Sequence, residues 1–199
     1  SRPDVKASFA ALHGGTFGHS VCDCHAGAVC SPLRGVLAFV RYAAGTVNAA
    51  GINPVWQLLD DDETELDAML LVNTKAPLRV VRAAWPHLVA SGHGRVVNIA
   101  SLSGKRVGGA TNAGYQMSKF ALVGATHALR KAGWAHGIRA TAVCPGYVRT
   151  DMTSYVTNFA AEAMTDANDL AALIAPLLVL PDNAVVAELL VNCRLEDTL

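Results

Sequence analysis

Two residues of this chain have the chemistry to pass a proton to and from a substrate. Tyr115 and Lys119 bound the run Tyr115-Gln116-Met117-Ser118-Lys119, and residues at that spacing share one face of a helix. A phenol and an ammonium would then project into one site. A free phenol has a pKa of about 10 and is a poor base at neutral pH, but a nearby cation stabilises the phenolate and brings the group into working range. A tyrosine and a lysine on the surface of an ordinary helix give the same short pattern, so the pair gains weight only from the residues around it.

The elements that must position the pair can be read from hydrophobic period and turn residues. Ala43 to Val47 is a short apolar strand running into the small residues Asn48-Ala49-Ala50-Gly51, where backbone can approach a ligand closely. A helix follows over Glu63 to Leu88, with Leu66, Met69, Leu70, Val80 and Val81 on its apolar side. Asn73 falls inside it and Pro77 removes a donor one turn later, which predicts a polar kink. Gly92-His93-Gly94 is a turn, and Arg95 to Ala100 reads as a buried parallel strand that delivers Ser101. In open parallel sheets ligands gather outside the carboxyl ends of the strands, so Ser101 stands where chemistry is expected, with Ser103 as its rival.

The Tyr115 helix is predicted to run to Lys131 with Ala121, Leu122, Ala125 and Leu129 as packing positions, closed by Gly133 and Gly137. Ile138 to Val143 makes the next strand, and Pro145-Gly146 turns the chain at its end. Residues 151–165 are rich in Thr, Tyr and Met. Asp166-Ala167-Asn168 caps a helix to Leu178 that Pro176 kinks or shortens; a turn at Pro181-Asp182-Asn183 then leads into a final strand over Ala184 to Val191. Before all of these, Pro3 to Leu12 has helical spacing, a short strand ends near Asp23, and a helix over His25 to Ala44 is interrupted by Gly27, Pro32 and Gly35.

Taken in order, Val47 to Gly51, Asn73, the run Gly94 to Ser101, Tyr115 with Lys119, and Cys144-Pro145-Gly146-Tyr147-Val148-Arg149-Thr150 resemble the short-chain dehydrogenase/reductase family. The resemblance implies an α/β fold, a Rossmann-like doubly wound parallel sheet in a single domain over residues 1–199. It also implies transfer of hydride between a nicotinamide cofactor and a carbonyl or secondary alcohol. It assigns Tyr115 as acid and base, Ser101 to the substrate oxygen, Lys119 to the phenol and the nicotinamide ribose, and Asn73 to a water that links Lys119 to solvent. Cofactor contacts fall by the same resemblance on Asn48, Ala49, Ala50, Gly51, Ile99, Pro145, Gly146 and Val148, on Thr150 at the carboxamide, and on Asp23 at the adenine; a strand-end turn accounts for Asp23 equally well. The family commonly has a second asparagine where Ala49 stands. In the family the segment 151–165 lids the substrate pocket. A homodimer or homotetramer built on the Asn73 and Tyr115 helices is expected, because their outer faces are apolar.

Such proteins open with a strand, a glycine-rich turn and a helix whose N-terminus receives the pyrophosphate. No such turn is present, since Gly14-Gly15 and Gly18 follow a helix and come too late. Ser1-Arg2 match the end of the second strand, so the expectation is an N-terminally incomplete domain, from a longer natural protein or an altered copy. Arg2 at that place would suit a ribose 2'-phosphate and leans the cofactor from NAD toward NADP. A non-catalytic binding or scaffold protein of the same fold is the alternative function, motivated by the missing turn; a lyase or isomerase on the same site is the second.

Composition agrees with a compact globular chain of one domain: 199 residues, 52% hydrophobic, 16% charged, no net charge. Without a basic block, nothing points to nucleic acid or an anionic membrane. No apolar run reaches the roughly 18 residues a bilayer needs, and a cytoplasmic place is expected. Cys22, Cys24 and Cys30 near His13, His19 and His25 lack the paired CxxC spacing of zinc sites. They read as free thiols and surface histidines, with no metal.

Overall fold

Strands and helices alternate through the residues that this computed structural model describes, 38–40 and 43–195. The expectations for Arg2, Asp23, the Pro3 to Leu12 helix and the N-terminal cysteines lie outside them. Five strands form one sheet: β1 (Ala38–Val40), β2 (Ala43–Asn48), β3 (Arg95–Ile99), β4 (Arg139–Pro145) and, after a separate two-stranded ladder of β5 (Val148–Arg149) and β6 (Thr165–Asp166), β7 (Glu188–Val191). Their order is β1-β2-β3-β4-β7. From β2 to β7 all pairs are parallel, while β1 runs antiparallel at the edge of β2. That edge strand replaces the end of the helix expected up to Ala44, in keeping with the β-favouring Phe39 and Val40.

The helices cover both faces. The first is α1 (Thr64–Leu70), then α2 (Ala76–Ser91), α3 (Ala113–Gly133) and α4 (Ala167–Ile174). Strand residues alternate between layers: Val96 packs with Val81, Ala84 and Leu88 of α2, whereas the adjacent Val97 packs with Leu170 of α4 and Leu177. In β4, Ala142 joins Leu122 and Val123 of α3, and Val143 faces the other layer. Burial on both faces explains why apolar residues occupy successive positions in β3 and β4, Val96-Val97 and Ala142-Val143-Cys144. Each such buried Val or Leu contributes roughly 1.5 to 3 kcal/mol.

Three local details differ from expectation. On α3, Leu122 is buried and Ala125 and Leu129 are half-buried, but Ala121 is exposed, because it shares the outward stripe of Met117, Phe120 and Gly124. The final strand starts at Glu188 rather than Ala184. Its approach is bonded differently: Ala184 N donates into the turn at Pro181 O, and the Thr141 hydroxyl occupies Val186 O at 2.6 Å. The long helix over 63–88 is divided by a π turn at Leu71–Lys75 and extends to Ser91.

Candidate active site

The π turn places Asn73 and sets its direction. The donor that an α ladder would supply to the Asn73 carbonyl belongs to residue 77, a proline without an N–H. The wider turn accommodates that loss and aims the fully buried Asn73 side chain at the segment after β2. Its Oδ1 accepts from Ile52 N at 2.8 Å, while Nδ2 donates to Ile52 O at 2.9 Å and to Ser118 Oγ at 2.9 Å. Both donors of the amide and one acceptor site of its oxygen are thereby engaged within the protein. Ser118 donates to Tyr115 O at 2.7 Å, and Thr74 Oγ1 donates to Ser118 O at 2.9 Å. The turn is thus tied directly to the helix that carries the phenol.

On α3, Tyr115 is half-buried and Lys119 buried. Lys119 Nζ donates to Ile99 O at the end of β3, 2.9 Å away, and sits 5.5 Å from the centre of the Tyr115 ring. Ser101 follows β3 in extended backbone and starts a short 3-10 turn, Leu102–Gly104. Its Oγ accepts from Ser103 N at 3.1 Å and lies 3.5 Å from Pro145 O. Gly104 lets this turn touch α3, since a Cβ there would meet Lys119 O at 2.7 Å.

Burial dominates the electrostatics. It pushes the Tyr115 phenol up from its ordinary value; a hydrogen bond with the Ser101 hydroxyl opposes this, and the charge of Tyr155 adds to it. Burial pushes Lys119 down to about 8, opposed by Cys144. The expectation that Lys119 draws the phenol below about 10 is therefore not met by the protein's own groups. Both charged forms lose hydration together, and the ammonium gives up its proton before the phenol does. Cys144, buried in β4 and affected next by Glu188, is pushed up to about 11 and stays a thiol.

Of the residues assigned to cofactor, Asn48, Ala49, Ala50, Gly51, Ile99, Pro145, Gly146, Val148 and Thr150 lie at or just past the carboxyl ends of β2, β3 and β4 and around β5. Asn48 and Pro145 are buried; Ala49, Ala50 and Thr150 are exposed. Gly51 borders the ammonium, because a Cβ there would lie 3.5 Å from both Lys119 Nζ and Asn73 Oδ1. Thr150 caps the 3-10 turn Asp151–Thr153 in a capping box. Sequence reasoning did not find the polar chain below the site. Asn48 Nδ2 donates to Asn98 Oδ1 at 2.7 Å, Asn98 Nδ2 to Thr126 Oγ1 at 2.9 Å, and Thr126 Oγ1 to Leu122 O at 2.7 Å. The signal was Asn98 itself: an amide inside a strand buried on both faces requires a partner. Ser118 and Thr74 carried no signal of comparable strength.

Among the described residues no group of His, Cys, Asp and Glu could hold a metal ion, and no helix is long and apolar enough to cross a membrane. A cavity of about 460 Å³ lies at the foot of the 151–163 segment, lined by residues that include Arg149, Glu162, Asp166 and Cys193; none of Asn73, Ser101, Tyr115 and Lys119 lines it.

Comparison with known proteins agrees with this architecture. Residues 35–161 match the family model described as short chain dehydrogenase. The chain is 37% identical over 153 residues to agropine synthesis reductase of Rhizobium rhizogenes, an alignment that covers 76% of this chain and 35% of that protein. An uncharacterized oxidoreductase of Staphylococcus epidermidis is 30% identical over 160 residues, covering 80% of this chain and 69% of the relative. In three dimensions the chain is similar to 4-hydroxyisoleucine dehydrogenase complexed with NADH, with TM-score 0.64 and 25% identity over 74% of this chain and 66% of that one. The alignment thus spans about a third of the length of the reductase. With the family model matching well over half of its residues, and the parallel sheet and paired Tyr115 and Lys119 in place, the chain belongs to the short-chain dehydrogenase family.

Proposed function

We propose that this protein passes hydride between NAD(P) and a carbonyl or secondary alcohol, with Tyr115 as acid and base. The observation that carries this reading is the convergence of three groups: the Lys119 ammonium held by Ile99 O at 2.9 Å, the Tyr115 ring 5.5 Å away, and the Ser101 hydroxyl, near enough to oppose the upward shift of the phenol. The residues present fit a nicotinamide ribose. Gly51 leaves the ammonium bordered by bare backbone, Ala49 and Ala50 add only small side chains, and Lys119 Nζ retains two protons beyond the one given to Ile99 O. When bound, the cofactor supplies or accepts the hydride.

In reduction, Tyr115 gives its proton to the substrate oxygen while Ser101 hydrogen-bonds that oxygen. Lys119 stabilises the phenolate left behind. Asn73 acts through its backbone: with its amide committed to Ile52 and Ser118, its carbonyl, whose α-helical partner at Pro77 has no N–H, is the group that would hold a water toward Lys119. Asn48, Ala49, Ala50, Gly51, Ile99, Pro145, Gly146, Val148 and Thr150 are the proposed cofactor contacts, with Arg2 and Asp23 further along the nucleotide and a lean to NADP. Residues 1–199 act as one cytoplasmic domain in a homodimer or homotetramer; exposed Leu71, Met117 and Phe120 supply the apolar outer faces.

The test is to follow absorbance of the reduced nicotinamide with wild-type protein, Tyr115→Phe and Lys119→Met, using NADH and NADPH in turn and a panel of carbonyl compounds. Turnover in the wild type alone supports the reading. Cofactor binding without turnover on any carbonyl would favour a non-catalytic member of the family.

A further inference from the structure

Two side chains of the segment between β5 and β6, Met152 and Tyr155, reach the loop after β2. Met152 Cε lies 3.8 Å from where a Gly51 Cβ would stand, so the segment passes over the backbone beside Lys119 and Asn73. Its hydrogen bonds from Thr153 and Ser154 remain local, to Val148, Thr150 and Asp151. Tyr155 is different. Its hydroxyl accepts from Asn53 Nδ2 at 3.2 Å, across 102 positions of sequence.

That bond is long for an N–H to oxygen contact, and it leaves chemistry unused on both sides. Tyr155 Oη, accepting here, still has its own proton to donate. Asn53 Oδ1 is sealed from water and has no hydrogen-bond partner, a condition that calls for a specific explanation in a folded protein. Tyr155 is 63% exposed, so its ring is free to shift. Asn53 is two residues beyond Gly51 and directly follows Ile52, whose backbone Asn73 grips on both polar groups. Its position relative to the proton-transfer residues is therefore fixed.

We propose that Asn53 and Tyr155 form a recognition pair for a hydroxyl group on the carbon next to the reacting one, so that the substrate class is the α-hydroxy carbonyl compound and its vicinal diol. This rests on the hydride-transfer reading of the same site. A hydroxyl both donates and accepts, and it enters between the two side chains. With the Tyr155 ring swung aside to open Asn53 Oδ1, the hydroxyl accepts from Tyr155 Oη and donates to that oxygen, giving it a donor in exchange for the long contact from Asn53 Nδ2. An alkyl group at that carbon satisfies neither. Such a site discriminates through the polar groups an unhydroxylated analogue leaves unpaired.

The experiment compares 2,3-butanediol with 2-butanol, which differ by the second hydroxyl alone, on the whole protein with NADP and NAD. The wild type is expected to oxidise the diol with at least tenfold higher kcat/KM, and Asn53→Ala and Tyr155→Phe should each lose about five- to tenfold on the diol and less than twofold on 2-butanol. Equal losses on both alcohols would mean that the pair only holds the segment in place, and would overturn the proposal, as would an unchanged preference. Ligand-observed NMR of both alcohols in the presence of cofactor reads recognition without turnover. Diol binding that depends on Asn53 in a protein that moves no hydride keeps the recognition pair and removes the hydride-transfer reading; absence of any diol preference in that measurement overturns the pair.

Discussion

Asn73 holds Ile52 as a neighbouring strand would, accepting from its N–H at 2.8 Å and donating to its carbonyl at 2.9 Å with one side-chain amide. Through this grip the backbone beside Lys119 is fixed to the π turn, and through Ser118 to the Tyr115 helix. Asn73→Ala would strand both Ile52 groups and one partner of Ser118. A loss of roughly 2 to 4 kcal/mol in urea unfolding is expected. Asn73→Asp cannot donate to Ile52 O and should recover little of it. A loss below about 0.5 kcal/mol for the alanine variant would show that the cross-link holds nothing.

Lys119 gives a pH signature in stability. Its folded pKa of about 8 lies below the ordinary 10.5, so between these values the unfolded chain carries a proton that the folded protein has released. Stability therefore rises with pH across that window, and the burial cost of the ammonium is fully felt below it. The difference is on the order of 3 kcal/mol. Lys119→Met should remove this rise, so the variant's advantage is greatest at neutral pH and shrinks toward pH 10. Parallel melting curves for the two proteins from pH 7 to 10 would contradict the burial of a charged Lys119.

Tyr115 predicts opposite pH trends for the two directions of the reaction. Its raised pKa keeps the phenol protonated through neutral pH, which suits reduction. The reduction rate should hold to about pH 8 and fall beyond it, as Lys119 loses the charge that stabilises the emerging phenolate. Oxidation should gain with pH, because it needs the phenolate. Tyr115→Phe keeps the ring while removing the proton, and should cost at least about a hundredfold in turnover with cofactor affinity retained. A phenylalanine variant with the wild-type rate and pH profile would end the assignment.

The two serines after β3 separate cleanly. Ser103 serves Ser101 through its backbone N–H, 3.1 Å from Ser101 Oγ, and an alanine keeps that donor. Ser103→Ala should change kcat less than twofold, whereas Ser101→Ala removes the hydroxyl beside Tyr115 and should cost about ten- to a hundredfold. Equal effects would mean that the substrate oxygen lies elsewhere along this turn.

Gly104→Ala probes the contact between that turn and α3. A Cβ at 2.7 Å from Lys119 O and 2.8 Å from Lys119 C meets backbone that cannot step aside. The expected cost is about 1 to 3 kcal/mol in thermal or urea unfolding, together with reduced kcat, because Ser101 and Tyr115 are carried on opposite sides of the contact. Gly109, with nothing within 4 Å of a Cβ, serves as the tolerant control.

The sequence by itself determined the parallel strands β2, β3 and β4, the helices between them and the place of Ser101, Tyr115 and Lys119. These are local properties: apolar runs buried on both faces, a four-residue helical spacing, and glycines and prolines that end each element. It also placed a polar kink at Asn73, since Pro77 removes a donor one turn on. Tertiary structure alone decided what the Asn73 amide grips, because Ile52 and Ser118 lie far from it along the chain and meet it only when α1, the π turn and α3 pack together. The same holds for the chain from Asn48 through Asn98 to Thr126, which joins two adjacent strands to a helix in the register Asn48 with Asn98. It holds above all for the charge states. Four-residue spacing brings Lys119 near Tyr115, but the depth of burial decides the direction in which each is shifted, the phenol up and the ammonium down.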